Sequence, residues 1–104
     1  MSVKIALCTV PDKKTGSEIA ARLVEDHLAA CVNIAGPVTS FYKWEGALQQ
    51  GEEFQLVIKT TDDKVNDAYI CVEDLHPYDV MEWLVMDEIS GSDAYVNWLT
   101  TSVN

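Results

Sequence analysis

Basic residues are scarce in this sequence. Only 7 of its 104 residues are Lys or Arg, against 17 Asp or Glu, and the formal net charge is -10. A protein that binds nucleic acid needs clustered Lys and Arg to neutralise phosphates, and an anionic membrane surface also attracts basic clusters. We therefore expect no nucleic acid and no membrane as a partner. The acidic surface either concentrates cations loosely or serves only solubility.

Long apolar runs and an even set of cysteines are also missing. No stretch approaches the roughly 18 apolar residues of a membrane span, and no export signal is recognisable at the N-terminus. Cys8, Cys31 and Cys71 are an odd number at wide spacing, which is neither a disulfide framework nor a zinc motif. Because reduced thiols are typical of the cytoplasm, we expect a cytoplasmic protein.

Catalytic signatures are absent as well. The sequence contains no metalloprotease helix motif, no nucleophile elbow and no phosphate-binding loop. No nucleophile and base pair can be identified, so we expect a protein that is not an enzyme. An enzyme that uses Lys59 or Glu82 is the hypothesis with the least support.

What the sequence does contain is the pattern of one α+β domain over residues 1–104. Two helices are predicted from apolar positions at helical spacing, one around residues 19–28 and one that Thr61 or Asp62 caps and that ends at His76. Ser92 opens a short C-terminal helix. Four strands are predicted. The first spans residues 3–10, the second spans 29–34 and continues after a bend at 36–37 as an extended stretch over 38–45, and the others span 52–61, after a polar turn at 46–51, and 82–89.

The order of these elements is β-α-β-β-α-β followed by a short helix, which is the ferredoxin-like arrangement. In such a fold the helices cover one face of the sheet and water covers the other. The strands are therefore expected to alternate apolar and polar residues. The first, third and last strands are instead apolar on both sides. Because one domain has no spare helices for the second face, another subunit is the economical cover, and we expect an oligomer.

Five short motifs of the sequence occupy residues 7–12 (LCTVPD), 28–33 (LAACVN), 40–46 (SFYKWEG), 56–61 (LVIKTT) and 76–78 (HPY). Taken in this order and at this spacing, they resemble the CutA family of small divalent-cation-tolerance proteins. The likeness runs over about residues 3–99, nearly the whole chain. It implies the ferredoxin-like fold and a homotrimer assembled through the sheets.

The resemblance also implies a weak site for copper or another divalent cation. Cys8 and His76 match family positions credited as copper ligands, and a soft thiolate with an imidazole suits copper. Taken alone, Cys8 is a small buried hydrophobe in a strand. This chain has Leu75 where such members often carry a second histidine, and Met81 where proline is common.

Finally, the resemblance places five side chains in a cleft between neighbouring subunits. Aromatic walls with one lysine and one carboxylate are typical of a binding pocket, and we expect the lysine to face an anionic occupant. Taken without the family, Lys59 is a solvated strand end. The alternative to a metal-tolerance function is therefore a PII-like signalling or small-molecule-binding trimer. The five cleft residues are Tyr42, Trp44, Lys59, Tyr78 and Glu82.

Overall fold

In the computed structural model, residues 1–104 form an antiparallel sheet of four strands and three helices. The strand order is β2-β3-β1-β4, which confirms the predicted α+β, ferredoxin-like fold with its short C-terminal helix. In chain order the elements are β1 (Val3–Val10), α1 (Lys13–Glu25), β2 (Cys31–Trp44), β3 (Ala47–Thr61), α2 (Val65–Leu75), β4 (Leu84–Met86) and α3 (Asp93–Ser102).

The main core lies between the sheet and the helices α1 and α2. Side chains alternate across a strand, so every second residue of β1 faces these helices. The residues that pack there are fully buried apolar side chains, and Gly16 lets α1 approach the sheet closely. The core cluster consists of Ala6, Cys8, Val10, Ile19, Leu23, Ala29, Leu56, Ile58, Ala68 and Val72.

The second face of the sheet is covered only at one end. There α3 packs Leu99 and Val103 against Val3 and Ala30, so the expectation that no helix reaches this face was wrong. Further along the same face, Leu7 pairs with both Val57 and Leu84. Leu84 is 59% exposed, which is a large open apolar surface for a strand residue.

The strands β2 and β3 form a long hairpin that gives the molecule its 45 × 24 × 21 Å shape. We call residues 38–53 the hairpin arm. A register shift between Ala35 and Val38 lets β2 continue through the predicted bend as one strand. The predicted polar turn over 46–51 was wrong, because Glu45 and Gly46 alone make the turn. Their φ angles of 51° and 81° are both positive, as a two-residue type I′ turn requires.

Two further element boundaries differ from the sequence-based prediction. The last strand spans only three residues because it pairs with β1 only between Ile5 and Leu7 and because Glu88, at φ 57°, turns the chain away soon after. No side chain caps α2, since the Thr61 hydroxyl instead donates a hydrogen bond to Asp63. The predicted Ser92 cap is confirmed. None of the three helices is long and apolar enough to cross a membrane.

Candidate functional site

A cleft of about 700 Å³ opens between the hairpin arm and residues 77–82. Thr9, Glu53 and Gln55 form part of its floor, and the strand register puts them on the second face of the sheet. The cleft therefore adjoins the open apolar surface around Leu84. Four of the five cleft residues predicted from sequence line it, namely Tyr42, Trp44, Tyr78 and Glu82.

Tyr78 joins the two walls of the cleft. Its hydroxyl donates a hydrogen bond of 2.9 Å to the carboxylate of Glu53, which comes from the opposite wall. Burial, this hydrogen bond and the Glu53 charge raise the pKa of Tyr78 above its ordinary value of 10.0. The phenol therefore keeps its proton at neutral pH and acts as a donor to a charged carboxylate.

Glu82 is held in the same way by a neutral donor. The side-chain amide of Gln55 donates to the Glu82 carboxylate at 2.9 Å and to the backbone carbonyl of Cys8 at 3.1 Å. An amide can make both bonds because it carries two donor hydrogens. Glu82 thus has a fixed position beside β1 without any positive charge next to it.

His76 uses both of its ring nitrogens within the chain. Nε2 lies 2.7 Å from the backbone carbonyl of Thr9, and Nδ1 accepts the backbone N–H of Tyr78 at 3.1 Å. A carbonyl oxygen only accepts and a backbone N–H only donates, so the imidazole is neutral with its proton on Nε2. His76 therefore has no free lone pair in this conformation.

Cys8 faces the core rather than the cleft. Its side chain is fully buried among the helix-facing residues, and the thiol donates weakly to the Thr9 carbonyl at 3.7 Å. Burial, followed by the charges of Glu82 and Glu53, raises the pKa of the Cys8 thiol to about 12. The thiol stays protonated at neutral pH, although a metal ligand must be the thiolate. Cys8 and His76 share one neighbour, the Thr9 carbonyl.

Lys59 does not line the cleft within one chain. It lies on the same face of the sheet, four residues along β3 from Gln55, which is roughly 13 Å of strand. Its ammonium group lies 5.9 Å from the centre of the Tyr95 ring of α3. The single chain therefore separates Lys59 from the four other predicted residues.

The sequence analysis did not assign several lining residues to the cleft. Among them, Glu53 and Asp79 add two carboxylates, and Gln55 adds a neutral amide donor. Lys, Arg and His are all absent from the lining. No group of three or more His, Cys, Asp and Glu side chains lies close enough to hold a metal ion within the chain. A signal for Glu53 was its place on the same side of the strand as Gln55.

Together the fold and this cleft define a ferredoxin-like α+β protein with a half-open sheet and an aromatic, acidic cleft on the open side. The family model for the CutA1 divalent ion tolerance protein matches residues 4–102. The chain belongs to this family.

Individual members agree with that assignment over most or all of their length. The divalent-cation tolerance protein CutA of Escherichia coli is 37% identical over 99 residues, which cover 95% of this chain and 88% of the relative. The crystal structure of CutA from Xylella fastidiosa is 33% identical, covers 100% of both chains and gives a TM-score of 0.96. The periplasmic divalent cation tolerance protein CutA of Archaeoglobus fulgidus is 30% identical, covers 98% of this chain and 99% of its own, and gives a TM-score of 0.94.

Proposed function

We propose that this protein is a homotrimer that binds copper or a similar ion weakly. It contributes to divalent-cation tolerance by this binding and not by catalysis. The observation that carries the tolerance role is the family match over residues 4–102. The names of the curated relatives point to the same role.

The trimer is supported by the open part of the second face. Leu84 and Met86 are exposed there next to half-buried Leu7 and Val57. A contiguous apolar surface of this kind is typical of a subunit interface. The resemblance to the family implies assembly through this same sheet.

Weak metal binding is supported by the arrangement around the Thr9 carbonyl. His76 and Cys8 both contact this oxygen, so two side chains of suitable chemistry share one neighbour. An ion that binds His76 must first displace one of its two hydrogen bonds. An ion that binds Cys8 must also remove a proton held with a raised pKa. These costs favour low affinity and give His76 the larger role.

Isothermal titration of the assembled protein with copper and with zinc tests this proposal. We expect His76→Ala to lower the affinity and Cys8→Ser to change it little, because the thiol is buried and protonated. A chelator should remove the ion without unfolding the protein. Equal losses in the two variants would show that Cys8 reaches the ion, and no binding by the native protein would refute the metal proposal.

A cytoplasmic location belongs to the same proposal. It is supported by three free cysteines, because a reducing compartment keeps thiols in this state. Cell fractionation of the native host, followed by immunoblotting of each fraction, tests it. Recovery of the protein in a periplasmic or secreted fraction would contradict it.

A second candidate function is a PII-like, small-molecule-binding trimer with its ligand in the cleft. The cavity of about 700 Å³ with aromatic walls favours it, because small-molecule sites are concave, largely apolar and of this size. In such a trimer Lys59 would have to come from a neighbouring subunit. A ligand that binds only the native state raises the melting temperature, so thermal shift without added metal separates this function from ion binding.

A further inference from the structure

We propose that the cleft binds an organic ammonium ion, that is, a positively charged nitrogen carried on an apolar frame. This inference rests on the proposed small-molecule-binding function and names the charge class of the ligand. It reverses the sequence-based expectation of an anionic occupant.

The walls of the cleft are aromatic, and their rings are exposed in the single chain. Tyr42, Trp44 and Tyr78 line it, and each of these side chains is more than a third exposed in the chain. Exposed rings place apolar area in water, so a ligand that covers them gains hydrophobic free energy. The faces of aromatic rings also attract cations, and several rings around one site form the cage that recognises substituted ammonium groups.

The charges of the cleft select the same class of ligand. Glu53, Asp79 and Glu82 line it, and none of them is ion-paired, since the one ion pair of the chain joins Lys4 and Asp87. The Tyr78 hydroxyl and the Gln55 amide, both neutral donors, hold Glu53 and Glu82 in position. The donors order these carboxylates without cancelling their charge, so the cleft is set up for a cation before a ligand arrives.

The spacing of these acids favours an organic cation over a metal ion. A divalent metal needs several ligand atoms that converge at 2.0–2.6 Å. No three acidic, cysteine or histidine side chains of the chain converge in this way. A substituted ammonium is large and weakly hydrated, so it needs ring faces and dispersed negative charge, which is what the two walls present.

Lys59 does not change this balance. Within the chain its ammonium group lies near the Tyr95 ring, outside the cleft. If a neighbouring subunit contributed one lysine to the cleft, the three carboxylates would still outnumber it. The electrostatic potential at the rings therefore stays negative in either case.

The test uses the full chain in its native assembly and three probes that each carry one phenyl ring. Benzyltrimethylammonium is the cation, benzyl alcohol the neutral control and benzoate the anionic control. Binding is followed by isothermal titration and by proton NMR line broadening of each probe. We expect benzyltrimethylammonium to bind at least about tenfold more tightly than benzyl alcohol, a difference in binding free energy of about 1.4 kcal/mol. Benzoate should bind most weakly.

Two sets of variants locate the binding. Trp44→Leu should weaken benzyltrimethylammonium binding about tenfold, and Trp44→Phe, which keeps a ring, should weaken it less. Trp98→Leu is the matched control, because Trp98 on α3 is 48% exposed, almost the same as Trp44 at 47%. Sedimentation velocity verifies that each variant keeps the native assembly.

The second set removes charge without changing shape. Glu53→Gln combined with Glu82→Gln should weaken the cation several-fold and bring its affinity close to that of benzyl alcohol. The control changes Glu18 and Glu25 of α1 to Gln, which removes the same charge elsewhere. Lys59→Met should not weaken binding of the cation, and it should strengthen binding if a neighbouring subunit brings this lysine into the cleft.

The outcomes distinguish this inference from the function on which it rests. If benzoate or benzyl alcohol binds as well as the cation and binding depends on Trp44, the small-molecule function stands and the charge class is wrong. If none of the three probes binds at the highest concentration at which protein-free controls remain linear, both are refuted. Equal losses in Trp44→Leu and Trp98→Leu would place the binding outside the cleft and overturn the inference.

Discussion

The imidazole Nε2 of His76 donates a hydrogen bond of 2.7 Å to the backbone carbonyl of Thr9, the residue after Cys8. This contact fastens the end of α2 to β1 across 67 residues of sequence. It also accounts for two features of the site at once. His76 is oriented by two hydrogen bonds within the chain, and the chain after it is directed into the wall of the cleft, where Tyr78 reaches Glu53.

The open face of the sheet leads to a prediction about assembly. Leu84→Asp should produce a folded protein that fails to assemble, because Leu84 is 59% exposed in the chain and a buried interface would desolvate the new charge. Ile70→Asp on α2 is the matched control, since Ile70 is 62% exposed on a helix away from this face. Sedimentation equilibrium should show smaller species for the first variant only. A native protein that is monomeric at micromolar concentration would contradict the trimer.

The Tyr78–Glu53 hydrogen bond should stabilise the protein measurably. Tyr78→Phe removes a donor to a carboxylate across the cleft, and we expect a loss of about 1 kcal/mol in the free energy of unfolding. Tyr69→Phe is the matched control, because Tyr69 makes an equally short bond of 2.9 Å to Glu73 only four residues away on α2. Such a local helix pair is worth about 0.2–0.5 kcal/mol. Chemical denaturation compares the two variants, and equal losses would show that the cleft bond has no special role.

The turn of the hairpin arm gives a test of backbone conformation. Gly46→Ala should destabilise the protein by about 1 kcal/mol, because φ at this position is positive, where a residue with Cβ is strained. A Cβ would meet no atom within 4 Å at Gly46, so the cost is purely conformational. Gly51→Ala, equally open but with an ordinary φ, should be neutral. Thermal denaturation measures the stability of both variants. If Gly46→Ala is as stable as the native protein, the turn is not of type I′.

The buried thiol makes alkaline stability depend on Cys8. The pKa of this thiol is raised from 9.0 to about 12 in the folded protein, first by burial and then by Glu82 and Glu53. Above pH 9 the unfolded chain loses this proton while the folded protein keeps it. The stabilisation is therefore complete below pH 9 and is lost as pH rises towards 12.

We expect the free energy of unfolding to fall with pH less steeply in Cys8→Ala than in the native protein over pH 9–11. Cys31→Ala, which removes a half-buried thiol, should keep the native slope. Urea denaturation at several pH values measures both. Parallel slopes for the native protein and Cys8→Ala would mean that the thiol is not desolvated.

The sequence by itself determined the element types and their order, the α+β class and the membership of Cys8 in the core. These features depend on local periodicity and on the residues that cap or end helices, and both can be recognised along a single chain. Ser92 and His76 marked helix boundaries for that reason. The pairing of β2 with β3 also followed from their adjacency.

Only the tertiary structure decided how the cleft is composed. Within the chain, Glu53 lines the cleft and Lys59 does not, although both lie on the same face of β3, because the residues after α2 cross the sheet near Gln55 rather than near Tyr95. The hydrogen bonds of His76 to Thr9 and Tyr78 likewise join segments far apart in sequence. Such contacts depend on where distant segments meet, which no local pattern encodes, and they changed the expected sign of the charge in the site.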